Sequence, residues 1–129
     1  MKKQNIEMST GTKKQEEQKM KKQNIEEARD VILKEYSYIT ESIFYIKEKG
    51  YSKIKELRII DEIITTGLNK MYDARIERDV DDEDLGRDID ELRITLHRKS
   101  GDINREIEKH ITAKNEATIK AMMLKENEY

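Results

Sequence analysis

The residues with the most chemical potential are the carboxylates between Asp79 and Asp102, in the stretch DVDDEDLGRDIDELRITLHRKSGD. A calcium loop of the EF-hand type needs oxygen ligands at its first, third, fifth and twelfth positions and Gly at its sixth. With Gly86 at the sixth position, Leu85 and Leu92 fall at the fifth and twelfth, and neither side chain binds a cation. The stretch therefore does not predict a calcium site of this type.

The sequence also gives little support for a histidine metal site or for a catalytic nucleophile. The two histidines, His97 and His110, are 13 residues apart, which is not the i, i+4 spacing of a helical metal pair. No Ser lies in a nucleophile elbow, no Gly-rich loop could hold phosphate, and Cys is absent. We therefore expect no enzyme activity, no cofactor or metal, and no small-molecule substrate.

The same acidic stretch fits the start of a helix. Residues 79–91 hold eight acidic residues and one Arg. Asp81 can accept hydrogen bonds from first-turn N–H groups, and the acids after it lie where the helix dipole favours negative charge. Apolar residues at steps of four, three and four then predict one helix over 82–99, which Ser100-Gly101-Asp102 would end. A functional alternative is an acidic surface for a basic partner, formed by Asp79, Asp81, Asp82, Glu83 and Asp84.

Helices must position these residues. The 129 residues are 42% charged and 35% hydrophobic, with no Pro and few Gly, a composition that favours helix over sheet. The apolar fraction is too small for a large core. We expect an all-α fold of three to four amphipathic helices in a bundle or coiled-coil-like homo-oligomer.

The location of the protein is predicted from what the composition lacks. No apolar run approaches the roughly 18 residues that cross a membrane, and no signal-peptide core follows the basic start. The absence of Cys fits a reducing compartment. We expect a cytoplasmic protein that does not contact membranes.

A repeat divides the chain. The heptapeptide MKKQNIE occurs at residues 1–7 and again at 20–26. Either the first copy belongs to an upstream extension of the natural chain or the gene carries a small tandem duplication. We expect residues 1–19 to be a disordered polar extension and residues 20–129 to form a single helical domain, with a possible sub-boundary at 79–84.

Two helices are predicted before the acidic stretch. Apolar residues at steps of three and four run from 24 to 49, and Gly50 fits the position just after a helix end. Ser52 can cap a second helix over 53–78. Seven-residue spacing within that helix indicates a coiled-coil-like seam, and Gly67 in its middle indicates close helix packing.

Aromatic residues cluster beside these helices: five of the seven lie within residues 36–51. Either Tyr36 is part of the core and the others are partly exposed, as is common for Tyr, or the cluster is a contact face for a partner protein. With the seven-residue seam added, the candidate protein-contact residues are Tyr36, Tyr38, Phe44, Tyr45, Tyr51, Leu57, Ile64 and Met71.

An alternative exists for residues 92–97, LRITLH, in which apolar and polar residues alternate as in a strand. Two amphipathic segments follow, DINREIEKHI and NEATIKAMMLKENE. This order resembles a ribbon-helix-helix DNA-binding domain, in which two chains pair their strands into a ribbon in the major groove. The resemblance implies a helical arm followed by that domain, with double-stranded DNA as partner. It implies base contacts by Arg93, Thr95 and His97, and phosphate contacts by Lys114 and Asn115.

Three functions follow from these patterns. The favoured one is a non-enzymatic protein–protein interaction or assembly module, of a kind that suits a small accessory protein of a bacterium, phage or plasmid. The alternative is a DNA-binding regulator that uses residues 91–127. The third is an acidic inhibitor of a nucleic-acid-binding enzyme.

Overall fold

The computed structural model describes the backbone of residues 2–127 and the side chains of residues 13–126. The backbone is helical nearly throughout, with no strand in this range, which confirms the all-α class. The helices are α1 (Lys2–Glu48), α2 (Lys53–Glu77), α3 (Asp82–Leu85) and α4 (Arg87–Asn127). The assignment of residues 1–19 to a separate extension stays a prediction.

The turn between α1 and α2 has the predicted residues at the predicted positions, although the Ser52 side chain makes no capping hydrogen bond. Gly50 has φ +70°, a left-handed conformation that ends α1 at little cost because glycine lacks a Cβ. Ser52 is the N-cap of α2, and its carbonyl accepts a 2.9 Å hydrogen bond from the Glu56 backbone N–H. The short turn makes α1 and α2 antiparallel neighbours.

Helix α2 lies in the middle of the packing, since α1 and α4 both contact it more extensively than they contact each other. The seven-residue seam of α2 is buried in this core, with Leu57, Ile64 and Met71 at 4%, 0% and 1% exposure. That seam therefore packs between helices of one chain. The other fully buried apolar residues include Ala28, Ile32, Ile39, Leu85 and Ile89.

Gly67 marks close helix packing, as predicted. A Cβ added there would lie 2.7 Å from Cγ1 of Ile39, a distance that real Cβ atoms do not show. Ile39 is itself 1% exposed, so it has little room to move. The missing side chain lets α1 approach α2 at this point.

Two predicted boundaries in the second half of the chain are wrong. The acidic helix over 82–99 is interrupted at Gly86, whose φ of +92° separates α3 from α4. Conversely, α4 runs unbroken through residues 100–102, where a helix end was expected. With no Pro present, one Gly costs only about 1 kcal/mol, which is too little to break a helix of this length.

The strand alternative for residues 92–97 is also wrong, because the segment is helical within α4. Leu96 faces the core at 3% exposure, while Ile94 is 49% exposed. Alternation over only six residues is compatible with the period of a strand or with that of a helix. The longer apolar pattern from Leu85 to Ile103 has helical spacing. A ribbon-helix-helix needs a strand at this place, and the described residues have none.

Candidate protein-interaction site

The exposed aromatic residues of α1 divide between its two flanks. Tyr38 and Tyr45 are seven residues apart, so they project from one side of the helix, next to α2. Their side chains are 60% and 59% exposed. With Ile46 and with Ile63 of α2 they line an open cavity of about 400 Å³. We call Tyr38, Tyr45 and Ile63 the tyrosine surface.

Lysine side chains lie over the exposed rings. The Lys70 ammonium is 6.0 Å from the centre of the Tyr38 ring, and the Lys49 ammonium is 4.8 Å from that of Tyr45. Lys70 Nζ also lies 3.8 Å from Glu35 Oε1. The tyrosine surface therefore combines aromatic rings with charges of both signs at its edges, since Glu41 also lines the cavity.

The remaining predicted contact residues lie elsewhere. Tyr36 is half-buried and packs against the core, and Phe44 is 65% exposed on the opposite flank of α1, towards α4. Tyr51 lies in the turn before α2, where the Lys55 ammonium is 4.4 Å from its ring centre. The aromatic cluster of the sequence is thus not a single face, because residues at successive positions of a helix point in different directions.

The predicted acidic surface is partly neutralised by the chain's own basic residues. Asp82 Oδ1 accepts a 2.7 Å hydrogen bond from Arg93 Nη1 and lies 3.1 Å from Arg75 Nε. The hydrogen bond from Arg93, helped by the charges of both arginines, lowers the pKa of Asp82 against the opposing effect of burial. Asp84 lies 3.6 Å from Lys21 Nζ. Asp79, Asp81 and Glu83 are exposed to solvent.

Sequence reasoning missed Arg29, which ties α1 to the acidic segment. Its guanidinium donates to both carboxylate oxygens of Asp88, at 2.9 and 2.5 Å, and to the carbonyl of Leu85. The hydrogen bond between the two side chains raises the pKa of Arg29 and lowers that of Asp88. The sequence offered only a partial signal: Arg29 lies next to Ala28 and four residues after Ile25, which puts it on the packed side of α1 without indicating its partner.

The residues implied by the DNA-binding resemblance are not arranged as that family requires. Arg93 is engaged by two carboxylates, those of Asp82 and Asp90. The Thr95 hydroxyl donates to the Glu91 carbonyl at 2.8 Å, and His97 is exposed. Lys114 and Asn115 are exposed in the interior of α4 and not at a helix N-terminus. DNA binding itself stays a prediction.

No protein-family model, curated protein or solved structure matches this chain closely enough to assign it to a family. Within residues 13–126, no three His, Asp or Glu side chains lie close enough together to hold a metal ion. No helix in the described part of the chain is long and apolar enough to span a membrane.

Proposed function

We propose that the chain is a small helical bundle that serves as a non-enzymatic protein–protein interaction module, and that its partner docks on the tyrosine surface. The observation that carries this proposal is the pairing of Tyr38 with Tyr45 on one side of α1, each close to 60% exposed, beside an open cavity. Tyrosine is enriched among the residues that dominate binding energy at protein interfaces. Its ring supplies apolar area and its hydroxyl tolerates water when the partner is absent.

The packing beneath the tyrosine surface supports the same function. Tyr38 lines a second small cavity with Ile63, Gly67 and Lys70. The close approach of the two helices at Gly67 therefore fixes the positions of the residues that a partner would contact. A contact surface held on two packed helices loses little conformational entropy on binding, which raises affinity.

The chemistry of the surface also describes its partner. The cavity is open, so it suits a side chain projecting from another protein. The ammonium groups of Lys49 and Lys70 lie close to the two tyrosine rings, and Glu41 is part of the cavity lining, so the edges carry charges of both signs. The partner we propose presents an apolar side chain flanked by both acidic and basic residues.

Site-specific photocross-linking tests this proposal. A benzophenone amino acid replaces Tyr45 in one variant and Tyr72 in a matched control, since Tyr72 is 56% exposed on α2 and lines neither of the two cavities. After irradiation of the cells that naturally produce this protein, we expect one discrete cross-linked product from position 45 and none from position 72. The same products at both positions would contradict a specific docking surface.

The affinity of the purified partner provides the second measurement. Replacing Tyr38 and Tyr45 together by Ala should weaken binding at least tenfold, roughly 1.4 kcal/mol or more, because interface tyrosines often contribute this much each. Tyr72→Ala should change it less than about twofold. All three tyrosines are exposed, so the circular-dichroism melting curves of the variants should coincide. Equal affinities for the two variants would overturn the proposal.

A further inference from the structure

The other flank of α1 carries a second exposed apolar surface. Leu33 and Phe44 are eleven residues apart, about three helical turns, so they project from the same side of α1. They are 43% and 65% exposed. Between them lie two small exposed residues, Ser37 and Thr40. We call these four residues the Leu33–Phe44 face.

A shallow groove adjoins this face. Helices α1 and α4 each pack mainly on α2, which leaves a cavity of about 230 Å³ between them. Tyr36, Phe44 and Lys47 of α1 line it together with Thr95 and Lys99 of α4. The Leu33–Phe44 face therefore continues onto α4.

Two threonine hydroxyl groups on this flank already have acceptors within their own helices. Thr40 Oγ1 donates to the Tyr36 carbonyl at 3.0 Å, and Thr95 Oγ1 donates to the Glu91 carbonyl at 2.8 Å. Covering this surface would leave neither hydroxyl hydrogen without a partner. Burial therefore avoids the main cost of removing polar groups from water.

Negative and positive side chains lie at different levels along the exposed side of α4. Glu91 is exposed near the N-terminal end of α4, and Arg98 and Lys99 are exposed two turns later. Helices α1 and α4 run in the same direction, because Arg29 contacts Asp88 at one end and Phe44 shares the groove with Lys99 farther along. A second copy placed antiparallel would bring Glu91 of one α4 close to Lys99 of the other.

We propose that two copies of this chain pair through the Leu33–Phe44 face, antiparallel, with the two-fold axis passing between Ser37 and Thr40. Each Leu33 then lies opposite Phe44 of the other copy, and the small residues at the centre let the helices approach closely. A two-fold interface requires a self-complementary surface. The Leu33–Phe44 face has large apolar residues at its ends and small residues at its centre, and the adjoining α4 carries opposite charges. The tyrosine surface is not part of this interface, so either proposal can fail without the other.

Disulfide cross-linking of the full chain tests the pairing, because the protein contains no Cys that could interfere. Two single variants, Leu33→Cys and Phe44→Cys, are oxidised separately and as a mixture. Antiparallel pairing places position 33 of one copy about 16 Å along the axis from position 33 of the other, beyond disulfide reach. We expect the mixture to form the mixed disulfide at least roughly tenfold faster than either variant forms its own.

A matched control comes from Tyr45→Cys, whose position is as exposed as Phe44 but lies on the tyrosine surface. Mixed with Leu33→Cys, it should cross-link no faster than either variant alone. Self-linking of each variant that is faster than linking in the mixture would show parallel pairing and overturn the proposal. Rates at the level of the Tyr45 control for every combination would also overturn it.

Sedimentation equilibrium measures the dimer directly. Phe44→Lys should weaken dimerisation at least tenfold, while Tyr45→Lys should leave it unchanged. Lys99→Glu and Glu91→Lys should each weaken it a few-fold, and the double variant should recover because both charges are reversed together. A double variant weaker than either single one would contradict the antiparallel arrangement, and a wild-type chain that is monomeric at all concentrations would overturn the dimer.

Discussion

The two halves of α4 have similar amphipathic sequences and very different surroundings. In the first half, Ile89, Leu96 and Ile103 are buried against the other helices. In the second half, every side chain of residues 111–126 is exposed. The turn between α1 and α2 lies level with Glu106, whose carboxylate is 3.9 Å from Lys53 Nζ. Beyond that level, no other helix of the described part of the chain covers α4.

This difference shows where the stability of the fold must come from. Most helical stability in proteins comes from packing an apolar face and not from the helix propensity of the residues. The first half of α4 has that packing, and the second half depends on the propensities of its own residues. Mutations of equal chemistry should therefore have unequal effects in the two halves.

The largest expected effect is the difference in stability cost between an alanine substitution in the first half of α4 and one in its second half. Leu96→Ala removes a side chain that is 3% exposed, and it should lower the free energy of unfolding by roughly 2–5 kcal/mol. Ile119→Ala removes a side chain that is 51% exposed, and it should change that free energy by less than about 0.5 kcal/mol. Urea denaturation followed by circular dichroism measures both. A cost at Ile119 as large as that at Leu96 would show that the second half of α4 is covered in solution.

A smaller effect compares two helical glycines in different surroundings. Gly67→Ala gains helix propensity but forces a Cβ against buried Ile39, so it should destabilise the protein by roughly 1–3 kcal/mol. Gly101→Ala meets no atom within 4 Å, so it should stabilise the protein by about 0.4–1 kcal/mol. Thermal and urea unfolding of the two variants should shift in opposite directions. Stabilisation by both would mean that α1 and α2 are not in close contact at Gly67.

Local signals made much of the fold predictable from the sequence. Gly50 and Ser52 marked the turn between α1 and α2, and Gly67 marked the close approach of these helices. Each of these signals depends on one residue and its immediate neighbours. The all-α class followed from composition, which needs no knowledge of contacts.

Features that depend on contacts between distant residues were not predictable. Heptad spacing predicts that Ile64 will be covered, and it cannot tell whether the covering helix belongs to the same chain or to another. The division of Tyr45 and Phe44 between opposite flanks depends on where α2 and α4 lie. Arg29 finds Asp88 across 59 positions of sequence, which no local pattern encodes.

The smallest expected effect is the pH dependence of the unfolding free energy that comes from the ion pairs holding the acidic segment in place. The pKa values of Asp82 and Asp88 are lowered in the folded chain, mainly by hydrogen bonds from Arg93 and Arg29. A lowered folded-state pKa adds stability above the unfolded value, which is about 3.9 for Asp, and that stability is lost as pH falls below it. The unfolding free energy should therefore decline as pH falls below about 5 and through the lowered folded-state pKa values, and the double variant Asp82→Asn with Asp88→Asn should show a shallower decline. Asp73→Asn is the control, since the described side chains include no ion pair to Asp73, and its profile should parallel that of the wild type. Profiles of equal slope for the double variant and the wild type would show that these two ion pairs do not stabilise the folded chain in solution.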